Sequence, residues 1–293
     1  MKARAAPTTP LIAIMIGAVA AALLVQPAIA QERTNSGLEA LGRRDQVLGW
    51  EAVGRVDMGN SAFCTGTLIA PDLVLTAAHC LFDARAQKPY EPSAIEFRAG
   101  LRDSKIIASA RVKRAVAHPG YIPYTAVSTD SIAHDVALLE LAEAIPAGRA
   151  APFAIAAPSK GSKISVVSYA RDREATLSWQ RACQIKDRFA TVLAFDCDVD
   201  HGASGAPVFD LSDGRAKIIS IISSGHRDKS GAISYGMQLP SLVADLKAAL
   251  RSGNGVILAK GDAPRALIRR IGVGTADKGA SGARFVKARK TTP

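Results

Sequence analysis

Long apolar runs are nearly absent from this chain of 293 residues. Residues 11–25 form one, and no other stretch is long and apolar enough to cross a bilayer, which takes about 20 such residues. Aromatic residues make up only 5% of the sequence, and no recognisable nucleic-acid-binding module is present. No internal repeat is visible. The sequence therefore argues against a multi-span membrane protein, a repeat protein and a dedicated nucleic-acid binder.

The apolar run near the N-terminus has the features of an export signal. Lys2 and Arg4 precede it, and the small-x-small pattern Ala-Ile-Ala follows it at residues 28–30. A charged start, a short apolar run and a small-residue cleavage site define a secretory signal peptide. We therefore predict a signal peptide over residues 1–30 and a secreted or periplasmic protein with no transmembrane segment after cleavage. A retained N-terminal anchor is the alternative.

Cysteine is also scarce, with four residues in the chain, and none of them forms a CxxC pair of the metal-binding or redox kind. An even number of cysteines agrees with export to a compartment where disulfides persist. A zinc site built from these cysteines and His79 is a poor alternative, because the spacings fit no ligand set. We predict no metal and no cofactor.

The formal net charge of +11 is distributed unevenly along the chain. Residues 31–250 hold 25 basic and 24 acidic residues, whereas residues 251–293 hold ten basic and two acidic residues, a net charge of +8. Residues 253–293 have too few apolar residues to build a core, so we predict a basic, disordered tail. This tail is either simply solvated or binds an anionic surface such as lipopolysaccharide, cell-wall polymer or nucleic acid.

The central part of the chain has the pattern of an all-β protein. Short β-like runs separated by Gly, Pro, Asp and Ser follow one another from residue 50 to residue 240. Residues 109–116 alternate between apolar and polar, as in a strand with one wet face. The one convincing helix covers residues 240–251, with leucines on one face and Gly253 behind it. Examples of the other predicted strands are residues 63–69, 95–98, 136–141, 164–169, 192–197 and 218–222.

Three short stretches carry the residue types of nucleophilic catalysis. They are LTAAHC at residues 75–80, HDVALL at residues 134–139 and GASGAP at residues 202–207. A serine hydroxyl is almost never ionised near pH 7, so an imidazole must remove its proton as it attacks. The imidazole needs a carboxylate that fixes its tautomer and stabilises the imidazolium. His79, Asp135 and Ser204 are therefore the candidate base, orienting acid and nucleophile.

These stretches, in the order His, Asp, Ser, resemble the chymotrypsin-like and trypsin-like serine peptidases. The order differs from that of α/β-hydrolases, where the serine comes first, and of subtilisins, where the acid does. The resemblance implies the trypsin fold, which is two packed antiparallel six-stranded β-barrels with a C-terminal helix. It also implies that a peptide or protein substrate is hydrolysed through an acyl-enzyme. The pattern is most similar to secreted bacterial relatives of the glutamyl endopeptidases.

The resemblance divides the chain into segments. An N-terminal or pro segment at residues 31–45 leads into the first barrel at residues 46–160. Residues 161–252 then form the second barrel and the C-terminal helix. The catalytic histidine and aspartate belong to the first barrel and the serine to the second, so the active site would lie in the groove between them.

Further site residues follow from the same resemblance. The resemblance implies an oxyanion hole at the backbone N–H groups of Gly202 and Ser204. Glycine suits residue 202, because the loop needs a conformation that a side chain there would resist. Residues 223–225 match the segment that pairs with the substrate backbone, and Ser223 falls where a family serine contacts the catalytic aspartate. The candidate substrate-binding residues are Ser223, Ser224, Gly225, Asp198 and His201.

The resemblance pairs the cysteines as Cys64–Cys80 and Cys183–Cys197. The first pair matches the family disulfide beside the catalytic histidine, and the second would join a hairpin that leads into the serine loop. Each closes a loop of about 15 residues, which the chain-entropy model values at roughly 3 kcal/mol.

The chain departs from its relatives at two positions near the site, and a third residue there allows two interpretations. Ala203 stands where trypsin-type enzymes have an aspartate that pairs with a new N-terminal ammonium, so activation by that ion pair is excluded. Ile222 stands where glutamyl endopeptidases have a histidine that binds acidic side chains. Asp198, six residues before Ser204, is either the acid of a trypsin-like pocket or a plain strand residue.

Two other functions fit the same residues. One is a catalytically weak or inactive trypsin-fold protein whose basic tail binds an anionic surface, since Ala203 could leave the serine loop poorly set. The other is an esterase that uses the same nucleophile.

Overall fold

The computed structural model describes residues 37–59, 62–159, 161–228 and 231–260. The chain divides into two units, Met1–Arg33 and Thr34–Pro293, and every described residue lies in the second. The predicted signal peptide and most of the predicted basic tail therefore lie outside the described residues. None of the described helices is long and apolar enough to span a membrane.

Strands dominate the described residues, as the sequence pattern predicts. The helices are α1 Thr129–His134 and α2 Pro240–Ser252, with short 3-10 helices at Ala78–Leu81 and Pro92–Ala94. The strands are β1 Leu38–Ala40, β2 Val53–Met58, β3 Ala62–Ala70, β4 Leu73–Thr76, β5 Phe82–Asp83, β6 Lys88–Pro89, β7 Ile95–Ala99, β8 Ala108–Ala117, β9 Ala137–Leu141, β10 Ala154–Ile155, β11 Ile164–Ser168, β12 Ser178–Cys183, β13 Ile185–Phe189, β14 Val192–Phe195, β15 Pro207–Asp210, β16 Lys217–Asp228, β17 Gly231–Met237 and β18 Val256–Leu258.

Six strands of the first sheet close into an antiparallel barrel. The order β2-β3-β4-β9-β8-β7 returns to its start, because β7 pairs with β2 and β8 pairs with β9. Strand β8 alternates between buried and exposed residues over its first half, so its predicted wet face is confirmed. Fully buried apolar side chains fill the barrel, among them Leu68, Leu75, Phe97 and Leu138.

The second sheet has the strand order β1-β12-β11-β15-β16-β17-β14-β13, with β10 added in parallel to β16. Strands β12 and β13 are consecutive in the chain, and no ladder between them closes the sheet in the described part of the chain. The Cys183–Cys197 disulfide joins the end of β12 to the segment after β14, as predicted. The all-β, trypsin-like fold is therefore confirmed with one closed barrel, and closure of a second stays a prediction.

Two strands lie outside the predicted limits of the folded body. Strand β1 lies within the predicted N-terminal or pro segment, yet it pairs with β12, and Leu41 behind it is buried. Strand β18 lies within the predicted disordered tail, yet it pairs with β8. The reason is that β8 pairs with β7 only over residues 108–111, which leaves one side of residues 114–116 for β18. An open strand edge takes up a short apolar segment that has no core of its own.

Candidate active site

His79 is positioned by the buried strand β4 and the short 3-10 helix that follows it. Strand β4 pairs with β3 and β9 in the closed barrel, so the turn that carries His79 begins at the end of a barrel strand. The next residue, Cys80, forms a disulfide with Cys64 on β3, which ties the histidine turn to the neighbouring strand. This disulfide confirms the first predicted cysteine pair.

Asp135 caps the C-terminus of α1, a short helix that no sequence pattern predicted. The helix begins with a capping box in which the Ser131 N–H donates to Ser128 Oγ at 3.1 Å and the Ser128 N–H donates to Ser131 Oγ at 2.7 Å. The available signal was the Ser-x-x-Ser spacing at residues 128–131, although Glu or Gln is usual at the second position. This helix sets the start of β9 and places Asp135, which is only 3% exposed, beside β4.

The Asp135 carboxylate accepts three hydrogen bonds. Its Oδ1 accepts from the backbone N–H of His79 at 2.8 Å, and its Oδ2 lies 2.7 Å from His79 Nδ1. The Ser223 hydroxyl donates to the same Oδ2 at 2.6 Å, which confirms the predicted contact between these residues. A carboxylate on Nδ1 holds the neutral imidazole in the tautomer whose Nε2 is free to accept a proton.

The two groups shift each other's pKa in opposite directions. Burial alone would raise the pKa of Asp135, but the charge and hydrogen bonds of His79 and the Ser223 hydroxyl outweigh it and lower that pKa. Burial alone would lower the pKa of His79, but the charge and hydrogen bond of Asp135 outweigh it and raise that pKa above 6.5. The pair is thus an ionised acid behind a strengthened base.

The Ser204 loop is attached to the first barrel through Thr65 on β3. The Thr65 N–H donates to the carbonyl oxygen of Ser204 at 2.9 Å, and the Thr65 hydroxyl donates to the carbonyl oxygen of Gly202 at 2.9 Å. Gly205 has a φ of 76°, and a Cβ there would lie 2.3 Å from the Thr65 carbonyl oxygen. Only glycine fits so close to β3, so Gly205 allows the serine loop to approach the histidine barrel.

The backbone N–H groups of Gly202 and Ser204, two residues apart on this loop, have no hydrogen-bond acceptor among the described residues. The intervening Ala203 N–H donates to the Asp200 carbonyl oxygen at 2.9 Å. Gly202 has a φ of 97°, and a Cβ there would lie 2.2 Å from the Phe63 ring. Unpaired N–H groups beside a candidate nucleophile are what an oxyanion hole requires.

Two clefts meet at Ser204. One, of about 690 Å³, is lined by His79, Gly202 and Ser204 together with the Cys64–Cys80 disulfide. The other, of about 450 Å³, is lined by Ser204 and by all five predicted substrate-binding residues. No hydrogen bond joins Ser204 Oγ to His79 within the described part of the chain. Such bonds often tighten only when substrate is bound, so this open arrangement is compatible with a catalytic pair.

The two aspartates that line the second cleft each have a basic partner that the sequence did not indicate. Asp198 forms an ion pair with Arg227 on β16, and Asp200 Oδ1 lies 3.0 Å from His201 Nδ1. Hydrogen bonds from His201 lower the pKa of Asp200. The pairing of Asp198 joins residues 29 positions apart, which no local pattern encodes.

The donor atoms of Cys64, His79 and Cys80 lie within 4.8 Å of one another. Zinc sites of this kind need thiolates, and here both sulfur atoms are joined in a disulfide. The donor set therefore does not suit a metal ion in the oxidised protein.

The closed barrel, the second sheet and the His79–Asp135 pair beside the Ser204 loop are typical of the trypsin-like class. The family model of the trypsin-like peptidase domain matches residues 64–216, just over half of the chain. The chain therefore belongs to the trypsin-like peptidases, and the predicted resemblance is confirmed.

Known proteins similar to this chain agree with that assignment. Serine protease 23 of Homo sapiens is 33% identical over 193 residues, which cover 57% of this chain and 49% of the relative. Trypsin of Sarcophaga bullata is 28% identical over 194 residues, covering 56% of this chain and 69% of the relative. The chain thus spans about half the length of the mammalian relatives it matches. A Glu endopeptidase solved in complex with MPD has the same fold, with a TM-score of 0.60, 19% identity and coverage of 74% of this chain and 97% of its own.

Proposed function

We propose that the protein is an exported serine endopeptidase that hydrolyses peptide bonds through an acyl-enzyme. The observation that carries the proposal is the buried Asp135 carboxylate bonded to His79 Nδ1 at 2.7 Å beside the cleft that contains Ser204. A carboxylate-backed imidazole next to a hydroxyl on a glycine-flanked loop is the arrangement that makes a serine nucleophilic.

In each half of the reaction, His79 first accepts a proton from the attacking group and then gives it to the leaving group. Ser204 Oγ attacks the carbonyl carbon of the scissile bond while His79 Nε2 takes its proton. The Gly202 and Ser204 N–H groups bind the oxyanion of the tetrahedral intermediate. The intermediate collapses as His79 returns the proton to the leaving amine, which departs and leaves an acyl-Ser204 ester. Water then attacks the acyl carbon while His79 Nε2 takes its proton, and the second intermediate collapses as His79 returns that proton to Ser204 Oγ and the acid product leaves. Asp135 stays ionised throughout.

Substrate binding is assigned to the cleft on the β16 side of the serine. Residues 223–225 begin the second half of β16, and the backbone there is the proposed partner of the substrate chain. Gly225 lies close against Val199, because a Cβ there would lie 2.8 Å from Val199 Cγ2, so the cleft wall has no space for a side chain at this position. Ala203 is fully buried and carries no charge, so the serine loop is set without an ion pair to a new N-terminus.

Export is supported by the predicted signal peptide and by the two disulfides, which persist outside the reducing cytosol. We assign residues 1–30 to the signal. The net charge of +8 on residues 251–293 supports attraction of the C-terminal segment to an anionic surface, an interaction that added salt would weaken.

Hydrolysis of a quenched fluorescent peptide library by the mature protein tests the proposal. Wild type is expected to cleave peptides and to be labelled by a fluorophosphonate, and Ser204→Ala and His79→Ala are each expected to abolish both. Ser93→Ala removes an exposed hydroxyl elsewhere and should change neither. A folded wild type that is not labelled would favour the inactive, surface-binding alternative, whereas hydrolysis of esters without peptides would favour an esterase.

A further inference from the structure

The cleft on the β16 side of Ser204 contains two carboxylates, and each of them has a basic partner within the protein. Asp200 Oδ1 accepts from the backbone N–H of His201 at 2.6 Å and lies 3.0 Å from its Nδ1. Asp198 forms an ion pair with the guanidinium of Arg227. The cleft therefore offers no unpaired carboxylate to a substrate.

Arg227 reaches Asp198 from a different strand. It lies on β16 beyond residues 223–225, and it is paired in register with Ala232 of β17. The side chains are 58% exposed for Arg227 and 37% exposed for Asp198, so solvent can replace the guanidinium without opening a core. The Asp198 backbone N–H donates to Gln180 Oε1 at 2.6 Å, which keeps residue 198 in place if the guanidinium leaves.

Apart from Asp200 and His201, the rest of the cleft lining carries no formal charge, although the charge of the half-buried Arg173 acts on both Asp198 and Asp200. The ring of His226 stacks on Tyr235 with ring centroids 6.0 Å apart, which gives that imidazole an aromatic partner. The other lining residues near the pair are uncharged, and they are Val199, Ile222, Ser224 and Gly225.

We infer that Arg227 is a specificity-determining residue. Its guanidinium pairs with Asp198 where a basic substrate side chain would otherwise bind, so this cleft selects substrates with an uncharged side chain. The inference rests on the proposed peptidase function. A substrate Arg or Lys has to displace Arg227 and then lies beside a second cation. A substrate Glu is attracted by Arg227 but repelled by Asp198, and the two effects oppose each other.

Removing the charge of Arg227 or of Asp198 should leave the other charge unpaired and able to attract a substrate side chain. Arg227→Gln removes the cation paired with Asp198, so the ratio of kcat/KM for Arg over Leu at the acyl side of the scissile bond should rise about twofold to fivefold, the scale of a partly exposed ion pair. Asp198→Asn frees Arg227, so the ratio for Glu over Leu should rise by a similar factor. The double variant has neither charge and should lose both gains.

The test measures kcat/KM for three peptides that differ only in Arg, Leu or Glu at that position, with the full mature chain of wild type and the three variants. Arg188→Gln and Asp187→Asn serve as matched controls, because they remove the same charges from exposed positions on β13 outside the cleft. Both controls should leave the ratios at their wild-type values. Taking ratios within one variant removes differences in the amount of active enzyme.

Two results would overturn the inference. One is an unchanged Arg-to-Leu ratio in Arg227→Gln, and the other is a gain that persists in the double variant. Fluorophosphonate labelling of Ser204 in every variant separates this outcome from failure of the proposed function. Labelled variants with unaltered ratios contradict the role of Arg227 alone, whereas absence of labelling in folded wild type contradicts the peptidase and this inference together.

Discussion

Replacing Asp135 by Asn is the substitution whose effect the geometry of the site defines most sharply. The side chain keeps its shape, and its Oδ1 can still accept from the His79 backbone N–H at 2.8 Å. The new amide nitrogen, however, replaces the acceptor that lies 2.7 Å from His79 Nδ1 and 2.6 Å from the Ser223 hydroxyl. Because an amide nitrogen donates, His79 is forced into the tautomer with its proton on Nε2, where it cannot accept the proton of Ser204.

We expect Asp135→Asn to lower kcat by about 10⁴, because an imidazole in the wrong tautomer cannot act as the base. This factor corresponds to about 5.4 kcal/mol of lost transition-state stabilisation at 1.36 kcal/mol per tenfold change in rate. The same substitution removes the charge that raises the pKa of His79, so the residual activity should extend to lower pH than that of wild type.

The assay is steady-state hydrolysis of one cleaved peptide, with an unfolding curve for each protein to show that the fold is intact. Ser223→Ala is the matched control, since it removes one hydrogen bond to Asp135 but leaves the carboxylate on His79. It should lower kcat by far less than the amide does. An Asp135→Asn protein that is folded and within tenfold of the wild-type kcat would refute the role given to this carboxylate.

Three further outcomes are expected. The kcat/KM of wild type should fall as pH drops through the raised pKa of His79, above 6.5, because the base must be neutral, and a flat profile between pH 8 and pH 5 would contradict this. Replacing both cysteines of either disulfide by Ala should lower the free energy of unfolding in urea by roughly 3 kcal/mol, and unchanged stability would contradict a stabilising role. Gly205→Ala should destabilise the protein by at least about 2 kcal/mol and abolish labelling, since its φ is 76° and its Cβ would lie 2.3 Å from Thr65 O. Gly214→Ala, with a φ of 72° in open space, should cost less and leave labelling intact.

Local patterns predicted the long helix and seven of the eighteen strands of the described residues. The strand expected at residues 63–69 is β3, and the helix expected at residues 240–251 is α2 with one more residue. Both signals are contained in the segment itself, because the strand is a short run between turn residues and the helix ends where Gly253 adopts a φ of 81°. The two disulfides and the contact of Ser223 with Asp135 followed from family resemblance, and the structure contains them.

Features that depend on distant partners were not predictable in this way. Helix α1 has six residues, too few to show a helical period. Strands β1 and β18 exist because β12 and β8 leave strand edges open to them. The pairing of Asp198 with Arg227 depends on how β16 lies beside the segment before the serine loop. For the two strands and the ion pair, the determining neighbour is far away along the chain.

A crystal structure of the mature protein after reaction with a fluorophosphonate tests the central claim most directly. We predict a phosphorus–oxygen bond to Ser204 Oγ, with His79 Nε2 within about 3.2 Å of that oxygen. The phosphonyl oxygen should lie about 2.7–3.1 Å from the N–H groups of Gly202 and Ser204. A phosphonate on another residue, or an imidazole of His79 turned away from the modified serine, would contradict the account.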